Sequence, residues 1–406
     1  MREKPGLHLG IDATNIRQGG GVTHLSQLLL AAEPGAAGIA RITVWASTGT
    51  AATLPARPWL VKRSAAWMEA SLPRRILGQQ LQLPGELKAA GCDVVFFPGG
   101  TLPVRSGPHA VTMSQNMLPF EPEEAARFGR WSLMRLKMRV LRYVQGRSFR
   151  RAGGVVFLTH HAEATVARVL GGLTAARALV PHGIEPRFLQ APRPVRTLAD
   201  CTAVDPFRLL YVSIVMPYKH QVEVALAASR LRAAGLPIEM RFVGAAWGAY
   251  GERFGALLAQ LDPGGEYLVW SGAEPFAAMH AIYQASDAFV FASSCENMPN
   301  ILIEAMAAGL PVASSNRGPM PEVLGDAGIY FDPLEPDSLC DALRRLIHDA
   351  PLRAHLAEAA WRHAATFSWQ RCAQQTLNFI ADVATDKSVA TTPLKPAAVS
   401  HPIDPS

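Results

Sequence analysis

The sequence is poor in the residues that build disulfide frameworks and metal centres. It has 406 residues and five cysteines, and no two cysteines are separated by only two residues. An odd number of widely spaced cysteines argues against disulfides and a structural zinc site, and favours a reducing compartment. No D-x-D motif follows a predicted strand and no His/Cys cluster has ligand spacing. We therefore expect no bound metal ion.

Further absences concern membranes and nucleic acids. No uninterrupted apolar stretch reaches the roughly 18 residues of a spanning helix, and the first residues lead into a predicted strand instead of a signal peptide. The net charge is only +6, and no dense Lys/Arg block dominates. We expect anionic partners but no nucleic acid. The chain is expected to be cytoplasmic, with the inner face of a membrane as an additional location.

Composition separates the last residues from the rest. Hydrophobic residues make up 49% of the chain and charged residues 18%, which excludes disorder for the bulk. Residues 386–406 are rich in Pro, Thr, Ser and Ala, and we interpret them as a disordered tail.

Short apolar, β-branched runs alternate with longer segments of helical spacing. Strands that are apolar on both faces, with helices between them, predict parallel sheets of the α/β class, and about a dozen strands predict two sheets. The predicted strands are 7–12, 42–46, 94–97, 110–113, 154–158, 208–212, 239–243, 267–270, 288–292 and 311–313. The predicted helical segments include 22–32, 123–150, 220–234, 336–349 and 351–365.

A cluster of prolines between 186 and 206 marks a boundary between two lobes. We predict an N-terminal lobe over 1–190, a linker over 191–206 and a C-terminal lobe over 207–368. Ligands of such sheets bind beyond the carboxyl ends of the strands, so the cleft between the lobes is the predicted site.

The most informative motif follows the predicted strand 288–292. Glu296 lies in a short polar turn. Pro299 and Asn300 open a helix that contains Glu304. Carboxylates accept hydrogen bonds from sugar hydroxyls, and a helix amino end offers backbone N–H groups to a phosphate, so the motif favours a sugar-phosphate site. The alternative is a solvated Glu296 and an ordinary helical Glu304, although a buried carboxylate among apolar neighbours would then need a partner.

Residues 293–312 resemble the E-x7-E signature of the family 4 retaining glycosyltransferases, also called group 1. Asn297 stands where the family more often has Gly. The similarity extends over most of residues 6–383 and is strongest after residue 205. The residues that match the signature are Glu296, Glu304, Ala305, Met306, Gly309, Pro311 and Val312.

The resemblance implies a GT-B fold with two Rossmann-like lobes. The C-terminal lobe would hold a nucleotide diphosphate sugar without a metal ion or cofactor, and the N-terminal lobe would hold the acceptor. A last helix, 369–385, would cross back to the N-terminal lobe. Glu304 would hold the ribose. Glu296 would hold the donor sugar together with the segment that follows it, Asn297, Met298, Pro299, Asn300 and Ile301.

Lys219 lies where the predicted strand 208–212 gives way to a helix. Its ammonium group could neutralise a diphosphate as a point charge. The alternative is a solvated lysine, although the helix dipole disfavours a cation at this end. The resemblance implies that Lys219 binds the diphosphate. Lys219 and Glu296 are the two predicted catalytic residues. The arginine that usually precedes this lysine in the family is replaced by Ile214, so half of the cationic clamp is missing.

Three consecutive glycines, Gly19 to Gly21, follow the first predicted strand. Glycines at such a turn let backbone N–H groups approach an anion closely, although the spacing matches neither a dinucleotide-binding fingerprint nor a P-loop. A flexible loop is the alternative. By resemblance, Gly20 and Gly21 face the donor phosphates.

Three polar residues are predicted to lie on the acceptor or sugar side. Gln115 and Asn116 follow strand 110–113, where the family often has His-Asp. An amide can position a sugar hydroxyl but cannot exchange protons as an imidazole does. His182 follows another strand and is predicted to face the cleft, although a lone histidine is more often structural.

Residues 127–151 contain nine Lys/Arg and no Asp/Glu. Arg135, Arg139 and Arg142 recur at helical spacing, and Leu133, Leu136, Val140 and Val144 line another face. The segment could lie on anionic lipid, present a solvated basic face above an ordinary core face, or bind an anionic lipid-linked acceptor.

We therefore predict a retaining hexosyltransferase, with mannose among the candidate sugars. It would use a GDP- or UDP-linked donor and a glycan or lipid-linked acceptor, as in the biosynthesis of cell-surface polysaccharides. The alternatives are a GT-B sugar-nucleotide epimerase or phosphorylase and a non-catalytic sugar-nucleotide-binding subunit. Ile214, Gln115 and Asn116 favour the last of these.

Overall fold

A computed structural model describes residues 6–107, 109–246 and 248–385. The predicted tail, 386–406, lies outside the described residues. No helix in the described ranges combines the length and the hydropathy that crossing a bilayer requires.

Within these ranges the strands alternate with helices along the chain. The strands are β1 (Leu7–Ala13), β2 (Ile39–Ala46), β3 (Leu60–Arg63), β4 (Val94–Phe97), β5 (Ala110–Met113), β6 (Gly154–Phe157), β7 (Ala176–Leu179), β8 (Phe207–Val212), β9 (Ile238–Val243), β10 (Leu268–Trp270), β11 (Ala288–Phe291), β12 (Val312–Ser315) and β13 (Gly328–Phe331). The helices are α1 (Gly20–Leu30), α2 (Thr48–Thr53), α3 (Leu72–Leu81), α4 (Leu83–Ala90), α5 (Pro122–Ala126), α6 (Leu133–Arg151), α7 (His160–Leu170), α8 (Gln221–Ala233), α9 (Gly248–Leu261), α10 (Met279–Gln284), α11 (Asn300–Ala307), α12 (Met320–Leu324), α13 (Pro336–His348), α14 (Ala350–Ala364) and α15 (Trp369–Ala384).

Two parallel sheets form the cores of two lobes, as the sequence predicts. The N-terminal sheet has the order β3-β2-β1-β4-β5-β6-β7, and the C-terminal sheet has the order β10-β9-β8-β11-β12-β13. The central strands β5, β6 and β11 are buried along their whole length, because helices cover both faces of each sheet.

The polypeptide crosses between the lobes twice. After β7 it runs along the C-terminal lobe, where the Gln190 N–H donates to the Ala307 carbonyl. It returns at α15, which packs against β4, β5, β6 and β7 of the N-terminal sheet. Gly183 permits this crossing, since a Cβ there would lie 2.1 Å from the backbone nitrogen of Trp369.

The predicted segment 123–150 is not one helix. It is divided into α5 and α6, and Gly129, with φ 99°, lies in the interruption. Of the alternatives considered for this segment, the one that made the leucine and valine stripe an ordinary core face is not what the structure shows. Leu133 is 84% exposed and Leu136 is 57% exposed, while the core contacts come from Met138 and Phe149 on the opposite side of the helix.

Candidate active site

A cavity of about 550 Å³ opens between the lobes at the carboxyl ends of β1 and β11. The N-terminal lobe contributes the loop before α1 and the start of that helix. The C-terminal lobe contributes the end of β11, the turn that follows it and the first turns of α11. The lining residues are Arg17, Gln18, Gly19, Gly20, Val22, Thr23, Phe276, Phe291, Glu296, Pro299, Asn300, Ile301 and Glu304.

Lys219 and Glu296 form a buried ion pair at the edge of this cavity. The Lys219 Nζ donates to Glu296 Oε1, and the two side chains are only 7% and 16% exposed. Lys219 ends a 3₁₀ turn after β8, and its Nζ also lies 5.2 Å from the centroid of the Tyr218 ring. Removal of one partner of such a buried pair strongly destabilises the folded protein, because the other charge remains buried without compensation.

Glu304 lies on α11, with its carboxylate at the wall of the cavity. The Tyr283 hydroxyl donates a hydrogen bond of 3.0 Å to Glu304 Oε2. The pKa of Glu304 is raised to about 7, chiefly by burial and also by the nearby Glu185, while the hydrogen bond from Tyr283 and the charge of Arg187 act to lower it. The carboxyl group therefore changes its charge near neutral pH. The hydrogen bond from Tyr283 uses one lone pair of Oε2, so both carboxylate oxygens can still accept from a ligand.

The glycine loop is open to the cavity. A Cβ added at Gly19 or Gly20 would meet no described atom within 4 Å, so the backbone amides there are accessible to a ligand. Gly21 lies deeper, where a Cβ would contact Ile16 and the Gln115 Oε1. Arg17, which the sequence reasoning missed, lines the cavity and donates to Glu69 at 2.7 Å. An arginine two residues before a glycine run was the signal that could have found it.

Asn297 and Met298 lie in the seam between the lobes, outside the lining of this cavity. The Asn297 side-chain amide donates to the Ser114 carbonyl at 2.6 Å, and its own carbonyl accepts from the Thr159 hydroxyl at 2.9 Å. The Met298 sulfur accepts from the His182 N–H. This part of the signature turn therefore fastens the two lobes together.

His182 is buried in the same seam, beside a second histidine that the sequence reasoning missed. The rings of His24 and His182 have centroids 4.6 Å apart, and the His182 Nδ1 lies 2.9 Å from the Asn300 Oδ1. Burial lowers the pKa of His182 to about 4 and that of His24 well below its usual value. Both imidazoles are therefore neutral at pH 7. Asn300 is held by His182 and keeps its amide NH₂ for the cavity.

Gln115 and Asn116 follow β5, but neither side chain lines the cavity of 550 Å³. The Gln115 Nε2 lies 3.7 Å from the Met113 sulfur. The Asn116 Oδ1 accepts from the Leu118 N–H at 3.1 Å and caps the turn there. Both amides therefore have contacts within the protein.

A second cavity of about 520 Å³ lies on the other side of the turn that contains Glu296. Glu124 is buried in its wall, where it accepts from the Ser294 hydroxyl at 2.6 Å and from Arg127 at 2.7 Å. The residues that line it come from both lobes: Phe120, Glu121, Pro122, Glu123, Glu124, His161, Thr165, Arg168, Val169, Ser294, Arg317 and Gly318. Three carboxylates and two guanidinium groups thus line this second cavity.

In the part of the chain that the structure describes, no three His, Cys, Asp or Glu side chains are placed to hold a metal ion.

Comparisons with known proteins find similar sequences and similar folds. Residues 202–363 match the family model described as glycosyl transferases group 1. The O-antigen chain mannosyltransferase B of Escherichia coli is 32% identical over 112 residues, which are 28% of this chain and 29% of the mannosyltransferase. The alignment thus spans less than a third of that curated relative.

Solved structures match almost the whole chain. Sucrose-phosphate synthase of Thermosynechococcus elongatus has a TM-score of 0.73 at 17% identity and covers 94% of this chain and 100% of its own. Anabaena HepE in complex with UDP and glucose has a TM-score of 0.65 at 17% identity, with coverages of 93% and 99%. At such identities the likeness establishes the fold. The chain therefore has the GT-B fold, and most of its C-terminal lobe matches the model of the group 1 glycosyltransferases.

Proposed function

We propose that the protein transfers a hexosyl group from a nucleoside diphosphate sugar to a hydroxyl group of an acceptor, with retention of anomeric configuration. The observation that carries this proposal is the convergence of Glu296, Glu304 and the open glycine loop on one cavity, with Lys219 paired to Glu296 at its edge. The cavity, with a volume of about 550 Å³, is large enough to hold a nucleoside diphosphate sugar.

Glu304 is proposed to accept hydrogen bonds from the two ribose hydroxyls. A carboxylate accepts from a vicinal diol with both oxygens, and Tyr283 fixes the orientation of this one. Because the pKa of Glu304 is raised to about 7, its carboxyl group would be only partly ionised before the donor binds. The ribose diol would then replace water around this group.

Lys219 and the glycine loop are proposed to hold the diphosphate. The loop offers backbone N–H groups at Gly19 and Gly20, and Lys219 offers a positive charge that is paired with Glu296. Negative charge develops on the leaving diphosphate in the transition state, and pre-positioned donors and cations stabilise it there. Ile214 replaces the expected arginine, so Lys219 would carry this task without a second cation at that turn.

Glu296 is proposed to bind hydroxyls of the donor sugar, assisted by backbone groups of Pro299 and Asn300. No side chain at a position matched to the family offers a convincing nucleophile. We therefore infer that the acceptor hydroxyl attacks the face from which the diphosphate leaves, with positioning and leaving-group stabilisation supplying most of the rate. Neither a divalent ion nor a cofactor has a part in the proposed reaction.

The second cavity is proposed to receive the acceptor. It borders the turn of Glu296, and its lining includes the carboxylates of Glu121 and Glu123 and the guanidinium group of Arg168, which suits a hydroxyl-rich molecule. A glycan or a lipid-linked sugar fits this chemistry. The relative named as an O-antigen chain mannosyltransferase supports mannose as one candidate donor sugar and a surface polysaccharide as the product.

The experiment that tests the proposal uses the full purified chain. Thermal shift with UDP, GDP, ADP and their hexoses identifies the nucleotide, because a ligand stabilises the folded state in proportion to its occupancy. Turnover is then measured with that donor and octyl hexosides as simple acceptors. We expect an octyl disaccharide whose new linkage has the configuration of the donor.

Each alternative gives a different product. Conversion of the nucleotide sugar without acceptor would indicate an epimerase, and release of a hexose 1-phosphate with inorganic phosphate would indicate a phosphorylase. Donor binding without turnover, unchanged in Glu304→Ala, would indicate a binding subunit.

A further inference from the structure

The outer face of α6 is apolar although it faces solvent. Residues at helical spacing along this face are Leu133, Leu136, Val140, Tyr143 and Val144, and their exposures run from 38% to 84%; Trp131, just before the helix, is 90% exposed. Large exposed apolar patches on folded proteins mark interaction sites. We call these six residues the apolar stripe.

Basic side chains stand within and beside the apolar stripe. Lys137 lies four residues after Leu133 and three before Val140, so it shares their face, and Arg139 is exposed next to it. Arg135 and Arg142 are half-buried and lie toward the sheet. The stretch 127–151 has nine cations and no acidic residue. A partner that binds the apolar stripe would therefore lie in a strongly positive electrostatic field.

A second exposed apolar face lies on α3, which shares a contacting loop with α6. Helix α3 exposes Leu72, Ile76, Leu77 and Leu81, each between 47% and 70%. The loop 98–107 joins the two helices, since the Val104 N–H donates to Gln80 of α3 at 2.8 Å and the Leu102 N–H donates to Ser148 of α6 at 3.0 Å.

We propose that the apolar stripe of α6, extended by α3, docks on the surface of an anionic lipid bilayer. Charge complementarity selects this occupant, because a stripe of leucine, tryptophan and tyrosine with interspersed cations inserts its apolar side chains at the headgroup boundary while the cations contact lipid phosphates. Trp and Tyr are the residues preferred at that depth. The inference is independent of the proposed transfer reaction.

Docking of this face would bring the second cavity close to the bilayer. Helix α5, which precedes α6 by a short turn, contributes Pro122, Glu123 and Glu124 to that cavity. An acceptor anchored in the membrane would reach the cavity without leaving the lipid surface.

The test is co-sedimentation of the full chain with vesicles of phosphatidylcholine alone and of equal parts phosphatidylcholine and phosphatidylglycerol. We expect binding to the anionic vesicles, weakened by added salt. Lys137→Gln with Arg139→Gln should weaken it roughly thirtyfold, at about fivefold for each cation. Trp131→Ser with Leu133→Ser should weaken it at least about tenfold.

Matched controls separate the face from general surface effects. Val204→Ser removes another apolar side chain that is 94% exposed, and Arg230→Gln with Arg362→Gln removes two exposed cations of the C-terminal lobe. Both controls should bind as the wild type does. All substituted side chains are solvent-facing, so unchanged thermal unfolding is expected and is measured in parallel.

Three results would overturn the proposal. They are equal sedimentation of wild type and stripe variants, equal binding to both kinds of vesicle, and a dimer in light scattering that the Trp131 and Leu133 substitutions dissociate. The last result would assign the stripe to a second copy of the chain.

Discussion

The two lobes share one architecture but expose different chemistry. The C-terminal lobe places its charged groups in partnerships around a cavity, as Lys219 with Glu296 and Tyr283 with Glu304 show. The N-terminal lobe leaves leucine, tryptophan and arginine side chains in solvent on α3 and α6. The match to the group 1 family model falls on the C-terminal lobe. The contrast suggests that donor recognition depends on buried, mutually compensating groups, whereas acceptor delivery depends on an outer surface.

The sharpest test of the C-terminal half of this comparison is Lys219→Ala. We expect kcat/KM to fall about a hundredfold, or ~2.7 kcal/mol, because the leaving diphosphate loses its cation and Glu296 stays buried without a partner. Steady-state kinetics with the identified donor measures the effect, and Lys88→Ala, at an exposed lysine of α4, serves as control. Kinetics close to wild type would remove Lys219 from the mechanism.

Glu304→Gln is expected to raise the donor KM about tenfold, since a neutral amide accepts from the ribose diol less strongly than a carboxylate does. Glu252→Gln, at an exposed site on α9, is the control. An unchanged donor KM would place the ribose elsewhere.

The same substitution also has a pH signature. The pKa of Glu304 is about 7 in the folded protein against 4.5 as its ordinary value. Between these values the folded state binds more protons than the unfolded state, so the free energy of unfolding contributed by this group falls as pH rises from about 4.5 to 7. At pH 8, Glu304→Gln should therefore be more stable than wild type, by up to about 3 kcal/mol, and at pH 4 this advantage should vanish. Urea unfolding at both pH values measures it, and equal stability at pH 8 would contradict the buried carboxylate.

Arg168→Gln tests the second cavity, where the two lobes meet. We expect a roughly fivefold higher KM for an octyl hexoside acceptor with no change in donor KM. Arg253→Gln, at an exposed arginine of α9, should leave both constants as they are. A change in donor KM alone would assign this cavity to the nucleotide sugar.

The smallest expected effect is that of EDTA. Lys219, backbone amides and helix amino ends are proposed to compensate the diphosphate charge, so chelation should leave the rate of transfer unchanged. Loss of activity that Mg²⁺ or Mn²⁺ restores would refute metal independence.

The core strands were predictable from sequence because they are apolar on both sides. The strand β3 was missed, since Lys62 and Arg63 are exposed at its end and break the apolar run. The edge strand β7 was missed for a similar reason: it is a short Ala-Arg-Ala-Leu run that is only half-buried.

The site was harder to predict than the fold. Spacing along the chain indicated that Glu296 and Glu304 belong together, but it could not show that Asn297 reaches across to Ser114, because that contact joins residues 183 positions apart. The pairing of His24 with His182 and the solvent exposure of Leu133 depend on which side of a helix meets the sheet. Periodicity alone leaves that choice open.

The return of α15 to the first lobe has a consequence for how the chain can be divided. Phe379 packs so closely on β6 that a Cβ at Gly154 would come within 2.7 Å of its ring. A fragment that ends in the linker would lack this helix and expose the strands it covers. The first half of the polypeptide therefore completes its interior only after the second half has been synthesised, and the two halves have to be expressed together.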